Sequence, residues 1–234
     1  MPDGLLLAGR DRKLRFPNDT HRHAIVGMTG SGKTVFGMSM LSRRSFNRRP
    51  WLIFDSKRDK LIRQIPHLNE IGIEERIPSK RGLYVVRPVP GQHEEIDQWL
   101  WKLWRHENAG LFIDEGYSIR AHSEALQAVL TQGRSKNLPV IALSQRPAHV
   151  SPFIMSESDF ISVFYLQNPR DVERVQEYLP HDKWSNPIDP SELPNHHSFW
   201  WHGARREFAR FGPCEPEDII LDRFDARKVR RYYI

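Results

Sequence analysis

Short apolar runs separated by longer amphipathic stretches set the rhythm of this chain. After a polar, basic opening that closes at Pro17-Asn18-Asp19, apolar residues gather over 22–27 and at Trp51-Leu52-Ile53-Phe54. They gather again at Leu83-Tyr84-Val85-Val86, Gly110-Leu111-Phe112-Ile113, Pro139-Val140-Ile141-Ala142-Leu143 and Phe160-Ile161-Ser162-Val163-Phe164-Tyr165. Near-continuous apolar runs with no polar alternation predict strands covered on both faces of a sheet. Between the runs the spacing turns helical. Val35 to Leu41 can form one helix; Ile96, Trp99, Leu100, Leu103 and Trp104 share a face of a second. Leu126, Val129 and Leu130 mark a third over 123–132, and Val172, Val175 and Tyr178 a fourth over 170–179. Trp99 and Trp104 read either as a core-facing stripe or as a platform for stacked bases, and the stripe is the simpler reading.

This alternation predicts an α/β fold, a mostly parallel sheet sandwiched by crossover helices. The end of the chain differs. Ser198-Phe199-Trp200-Trp201-His202 and Glu207-Phe208-Ala209-Arg210-Phe211 flank a turn at 203–206, which reads as an antiparallel β-hairpin added to the sheet edge.

The chain has 234 residues, enough for one substantial core, so a single domain over 1–234 is expected, with its core at about 20–170 and a hairpin and basic tail at about 195–234. Lys and Arg number 35 against 29 Asp and Glu, a formal charge of +6 that suits a polyanionic partner. Basic residues cluster at Arg10 to Arg15, at Arg43, Arg44, Arg48 and Arg49, and at Arg227, Lys228, Arg230 and Arg231. Each cluster reads as a solvated face, and the three together favour nucleic acid. The lone Cys214 excludes an intrachain disulfide and a cysteine-based zinc site. His196, His197 and His202 lack metal-site spacing and read as ordinary strand and loop histidines. No apolar stretch is long enough for a transmembrane segment and the start lacks signal-peptide character, so a soluble intracellular protein is expected.

Two motifs carry chemistry. Gly27-Met28-Thr29-Gly30-Ser31-Gly32-Lys33-Thr34 is a complete G-x-x-x-x-G-K-[ST] phosphate loop, placed after an apolar run and before a helix. Its glycines let backbone amides approach phosphates, Lys33 supplies charge to the β and γ groups, and the Thr34 hydroxyl can ligate Mg²⁺. Downstream, Gly110-Leu111-Phe112-Ile113-Asp114-Glu115 ends an apolar strand in two carboxylates. Asp114 is expected near the Mg²⁺ shell, with Glu115 left to orient or deprotonate a water. ATP and Mg²⁺ are therefore the expected ligands. A nucleotide kinase needs no such Glu, and an Asn-Lys-x-Asp guanine reader is absent from the sequence, so ATP hydrolysis leads.

With Phe54-Asp55-Ser56-Lys57 and the run from Gln132-Gly133-Arg134-Ser135-Lys136-Asn137 into Ile141-Ala142-Leu143-Ser144-Gln145-Arg146-Pro147, these motifs resemble, in order over about 20–170, the HerA/FtsK superfamily of hexameric DNA-translocating ATPases. The likeness is greatest to the small genome-packaging ATPases of tailless double-stranded-DNA viruses. That resemblance implies a RecA-like P-loop NTPase fold, with Gln145 as sensor of the γ-phosphate and Arg134 as an arginine finger acting in a neighbouring subunit; Arg146 is the competing finger. A carboxamide suits the sensor role because it can accept from water and donate to phosphate. Asp55 and Lys57 match the superfamily's Asp-x-Lys without an assigned role.

The resemblance further implies a homo-oligomeric ring, expected as a hexamer, that packages double-stranded DNA into a preformed capsid. Its partners would be duplex DNA and capsid vertex proteins, and its location the host cytoplasm or the virion packaging vertex. Roughly 20 residues before the first core strand fit a minimal motor anchored by a capsid. Lys57-Arg58-Asp59-Lys60 and Lys80-Arg81 are candidate DNA contacts. The alternative is a nucleotide-gated phage assembly ATPase that moves no DNA.

Overall fold

A computed structural model describes residues 14–181 and 186–229. Its strands are β1 (His23–Val26), β2 (Pro50–Phe54), β3 (Asn69–Glu70), β4 (Gly82–Val86), β5 (Gly110–Ile113), β6 (Val140–Ser144), β7 (Phe160–Phe164), β8 (Ser198–His202) and β9 (Glu207–Phe211). Its α-helices are α1 (Lys33–Ser42), α2 (Lys60–Arg63), α3 (His93–His106), α4 (Glu124–Gln132), α5 (Phe153–Ser156), α6 (Pro169–Gln176) and α7 (Glu217–Val229). The strands form one sheet in the order β3-β4-β2-β5-β6-β1-β7-β8-β9. Pairings from β3 through β7 are parallel; β7–β8 and β8–β9 are antiparallel, so the hairpin extends the sheet edge as the sequence predicts.

Successive strand residues point to opposite faces, and each face has its own core. Ala24, Val26, Leu52, Phe54, Leu111 and Ile113 face α3 and α4, whereas Ile25, Trp51, Ile53, Phe112, Ile141 and Leu143 face α1 and α7. The helix α3 stripe is a core stripe. Ile96, Trp99, Leu100 and Leu103 are buried, and Trp99 packs against Phe54 at 5.9 Å between ring centroids. Trp104 is only partly buried; it meets Trp101 edge-on and carries the Lys136 ammonium 4.0 Å from its ring centre.

Helix α7 replaces much of the expected basic tail. Ile220 and Phe224, four residues apart, turn inward, and Phe224 stacks on Phe46 in the turn after α1. Glu215, just before it, takes Arg223, Arg43 and the Ser39 hydroxyl, tying this segment to α1. The sequence signal was faint because charged residues surround the two anchors. Arg227 and Lys228 fall within α7, while Arg230 and Arg231, like residues 10–13 of the first basic cluster, lie outside the described residues.

The cluster at 43–49 is not a uniform solvated face. Arg44 is fully buried with its guanidinium 5.5 Å from the Trp51 ring centre, and Arg49 donates to the Asn137 carbonyl; only Arg43 and Arg48 reach solvent. Burial pulls Arg44 down to about 10. No helix among the described residues is long and apolar enough to cross a membrane.

Candidate active site

In a parallel sheet the strands deliver their carboxyl ends to one edge, and here β1, β6, β5 and β2 end side by side. Four sequence motifs therefore converge. The phosphate loop leaves β1 and enters α1. Its first amide, Gly27 N, donates to the Ser144 carbonyl of β6 at 3.1 Å, and Met28 N donates to Tyr165 beyond β7 at 3.0 Å, so the loop is anchored to both neighbouring strands. A Cβ at Gly27 would stand 2.5 Å from the Phe164 Cβ, a contact that only glycine avoids. Gly32 has φ 94°, the left-handed turn that starts α1. Among the described residues, the amides of Gly30, Gly32, Lys33 and Thr34 have no backbone acceptor, leaving donors for an anion at the helix start.

Lys33 is buried at the mouth of α1 and takes part in no ion pair among the described residues. Burial lowers its pKa, with the nearby Lys57 adding to the effect, while Glu115 and Asp114 oppose it. A buried ammonium without a paired anion is poised for a phosphate.

Beyond β6, the end of β5 carries Asp114 and Glu115. Asp114 N donates to Phe54 O, which sets Asp114 level with Asp55, the residue just after β2. The Asp114 side chain is buried, and neither carboxylate oxygen has a hydrogen-bond partner among the described residues. Burial, reinforced by Asp59, Asp55 and Glu115 and opposed by Lys57, pushes its pKa up to about 7. A buried acceptor pair in an acidic surrounding is the chemistry of a cation site. No group of three or more His, Cys, Asp or Glu among the described residues can hold a metal alone. Asp114 and Thr34 are the oxygens that the chain could offer here to a cation such as Mg²⁺, which takes most of its ligands from water and substrate phosphates.

Glu115 is equally buried but fully engaged. Its Oε1 accepts from the Ser144 hydroxyl at 3.1 Å and from Gln145 N at 3.3 Å, and its Oε2 accepts from Lys57 Nζ at 2.6 Å. The Gln145 carboxamide turns the other way and takes the Thr29 hydroxyl on its oxygen. Lys33, Thr34, Asp114, Glu115 and Gln145 thus gather at one edge of the sheet. Arg134 does not. It precedes β6 and pairs with Asp159, which precedes β7, at 2.9 Å; both lie at the amino ends of strands whose other ends hold the loop, roughly 15 Å away for a five-residue strand. Arg146 sits beside the loop, bonded to Asp171 at 3.0 Å.

Three features have no role assigned from sequence: the turn that Asp55 holds and two clefts beside the phosphate loop. Asp55, whose Oδ1 accepts from Asp59 N and whose Oδ2 accepts from Arg87, pins the turn after β2; that turn delivers Lys57 to Glu115. On the α1 side of the loop, Phe164, His196, Pro213 and Cys214 line a cleft of about 420 Å³ with Gly32, Lys33 and Thr34. On the other side, Thr29, Tyr117, Gln145, Arg146 and His149 line one of about 560 Å³. Only the Asp-x-Lys pattern hinted at the first, and no local pattern marks the clefts, since each draws on distant segments.

No protein-family model matches the chain. In sequence it is 37% identical over 223 residues to the DNA packaging ATPase P9 of Enterobacteria phage PRD1, a match covering 93% of this chain and 98% of that protein. In structure it is similar to the genome packaging NTPase B204 of Sulfolobus turreted icosahedral virus 2 in complex with AMPPCP, with a TM-score of 0.62 and 18% identity over 85% of this chain and 100% of that one. The pCW3 conjugation coupling protein TcpA with ATPγS gives a TM-score of 0.59 and 14% identity over 91% of this chain and 66% of that one. These structural likenesses bear on the fold.

Proposed function

The chain belongs to the family of DNA packaging ATPases that includes P9 of phage PRD1, and on that premise we propose that it hydrolyses ATP to drive double-stranded DNA into a preformed capsid. The observation that carries the catalytic reading is the pair at the end of β5: Asp114, buried with both oxygens unpartnered among the described residues, beside Glu115 and one strand removed from the phosphate loop.

In this reading the loop amides and Lys33 bind the β- and γ-phosphates, and Thr34 and Asp114 hold Mg²⁺. The ion, when bound, neutralises charge on the phosphate oxygens. Glu115 takes a proton from the attacking water, while Gln145 exchanges Thr29 for the γ-phosphate and so registers its presence. The base lies in the cleft of Phe164, His196, Pro213 and Cys214, whose position on the α1 side of the loop supports that placement.

All described strands share one sheet, which supports a single ATPase unit. Such units assemble as a homo-oligomeric ring, a hexamer, in which Arg134 of one subunit serves the ATP of the next. Its distance from its own loop and its exposure, 63%, support action in trans. DNA is held through its phosphates, without sequence preference, and the ring works at the capsid vertex.

Steady-state ATP hydrolysis by wild type and Glu115→Gln, with and without long duplex DNA across a salt series, tests this function. DNA stimulation that fades with salt, and turnover lost in Glu115→Gln with ATP still bound, is the expected result. Hydrolysis indifferent to DNA overturns the translocase reading, and normal turnover by Glu115→Gln overturns the base.

A further inference from the structure

The two oxygens of Glu115 are held in different ways. Oε1 faces inward and is fixed by groups of β6 and the turn after β5: the Ser144 hydroxyl, Gln145 N and Tyr117 N. Oε2 has one partner among the described residues, the Lys57 ammonium at 2.6 Å. The pair is also uneven in exposure, with the Glu115 side chain 3% exposed and that of Lys57 39%. The carboxylate belongs to the core, and the cation reaches it from the surface.

The turn that carries Lys57 is fastened at both ends. Asp55 accepts from Asp59 N and from Arg87 at its start, and Asp59 caps α2 by accepting from Leu61 N at its finish. Between these anchors Lys57 and Arg58 are exposed, as is Lys60 just beyond, and Arg58 stands at φ 55°. Three cations within four positions thus face solvent on a short turn, and one of them bends back to the proposed base. A phosphate chain is the ligand such a face attracts, through exchange of counterions for Lys and Arg.

An ammonium in contact with Oε2 takes one of the two acceptor directions of the oxygen through which Glu115 would accept a proton from water, and its positive charge opposes a proton arriving at the other, while Oε1 already has its donors. We propose that Lys57 is a positioning residue that couples DNA contact to hydrolysis: it holds Oε2 of Glu115 out of use in the free protein, and duplex phosphates bound at Lys57, Arg58 and Lys60 draw the ammonium away and release that oxygen. The inference rests on Glu115 as the base. It gives Lys57 a restraining role, the opposite sign from a lysine that assists the reaction.

The experiment measures kcat and KM for ATP in wild type, Lys57→Ala, Lys57→Gln and Lys57→Arg, with and without long duplex DNA, and in the double variant Lys57→Ala with Glu115→Gln. Lys57→Ala is expected to raise DNA-free kcat roughly tenfold, as where one charge-assisted hydrogen bond must be released before turnover. KM stays within about twofold and the stimulation by DNA falls toward one. Lys57→Gln, uncharged and of similar length, should do the same and decides the matter if the alanine variant folds poorly. Lys57→Arg should bring the DNA-free rate back down and restore stimulation, which a merely structural role would not distinguish from Lys57→Gln. A DNA-free rate unchanged or lowered in the uncharged variants overturns the inference while leaving Glu115 as base. A raised rate that survives in the double variant overturns it as well, because the effect would not pass through Glu115. Normal turnover by Glu115→Gln alone removes the base itself and, with it, both readings.

Discussion

The hydroxyl of Thr29 in the phosphate loop donates to the side-chain oxygen of Gln145, 116 residues away, and so joins the loop to the end of β6. Both residues line the cleft on the Glu115 side of the loop. A γ-phosphate arriving there competes for both polar groups, so this bond is expected to exist in the free protein and to exchange on ATP binding.

Gln145→Ala is accordingly expected to lower kcat about 10- to 100-fold while KM for ATP changes by less than about threefold, because the carboxamide acts on the reacting phosphate and not on the base or sugar. Thr29→Val should be milder, since it removes the resting partner alone. Steady-state kinetics on the two variants checks the order; a Gln145→Ala defect confined to KM would remove the sensor role.

Asp114 carries a pH signature. Its pKa of about 7 in the fold lies above the ordinary value of 3.8, so the folded protein holds a proton that the unfolded chain gives up. Its contribution to stability is full below about pH 4 and is lost as pH rises through 7, an effect of roughly 2–4 kcal/mol in all. Asp114→Asn removes that titration. Denaturant melts without nucleotide should show the variant gaining on wild type between pH 4 and pH 7 and holding a constant lead above. With Mg²⁺ and a non-hydrolysable ATP analogue the order reverses, because the carboxylate then has its cation. A gap that does not change with pH would mean that Asp114 is ionised in the free protein.

Cys214 is the single cysteine of the chain, half-buried in the cleft proposed for the base, and burial pushes its thiol pKa up. Alkylation, followed by mass spectrometry, should therefore be slow at neutral pH and accelerate above the ordinary thiol range. ATP should slow it by about tenfold or more at saturation. His196→Ala, which removes a ring whose Nδ1 would lie 3.1 Å from a Cβ on Gly32, should raise KM with little change in kcat. Equal alkylation rates with and without ATP would move the base elsewhere.

Arg134 is exposed and its partner Asp159, 11% exposed, keeps a second donor in Arg22 N, so loss of the pair costs on the order of 1 kcal/mol and Arg134→Ala should fold normally. If it acts in trans, the variant binds ATP yet loses roughly 10³-fold or more in kcat. Mixing it with Glu115→Gln, which retains Arg134, restores activity at the mixed interfaces. Absence of rescue assigns the finger to Arg146 or to a role within one subunit.

How much of this was legible in sequence follows the range of each interaction. The phosphate loop was readable at once because its eight residues act through their own backbone, and the strand before it and the helix after it are adjacent in the chain. Asp114 and Glu115 were readable as the end of a strand. Lys57 was readable as part of Asp-x-Lys, but its pairing was not: its partner Glu115 lies 58 residues away, and the exposed turn that carries it gives no periodic signal. Strand β3 has two exposed residues and no apolar pattern, and α7 hides two inward anchors among charges.

The sequence by itself therefore determined the alternation of strands and helices, the phosphate loop and its acidic counterpart, since hydrophobic periodicity and local backbone geometry are properties of neighbouring residues. Only the tertiary structure decided that β5 and β6 stand between β2 and β1. Through that order Asp55, Asp114, Gln145 and Gly27 meet at one edge, Lys57 is set against Glu115, and Arg134 is sent to the opposite edge. Sheet order depends on how two separate apolar faces are covered by helices and a hairpin far apart in the chain, and no local pattern records which strand will lie beside which.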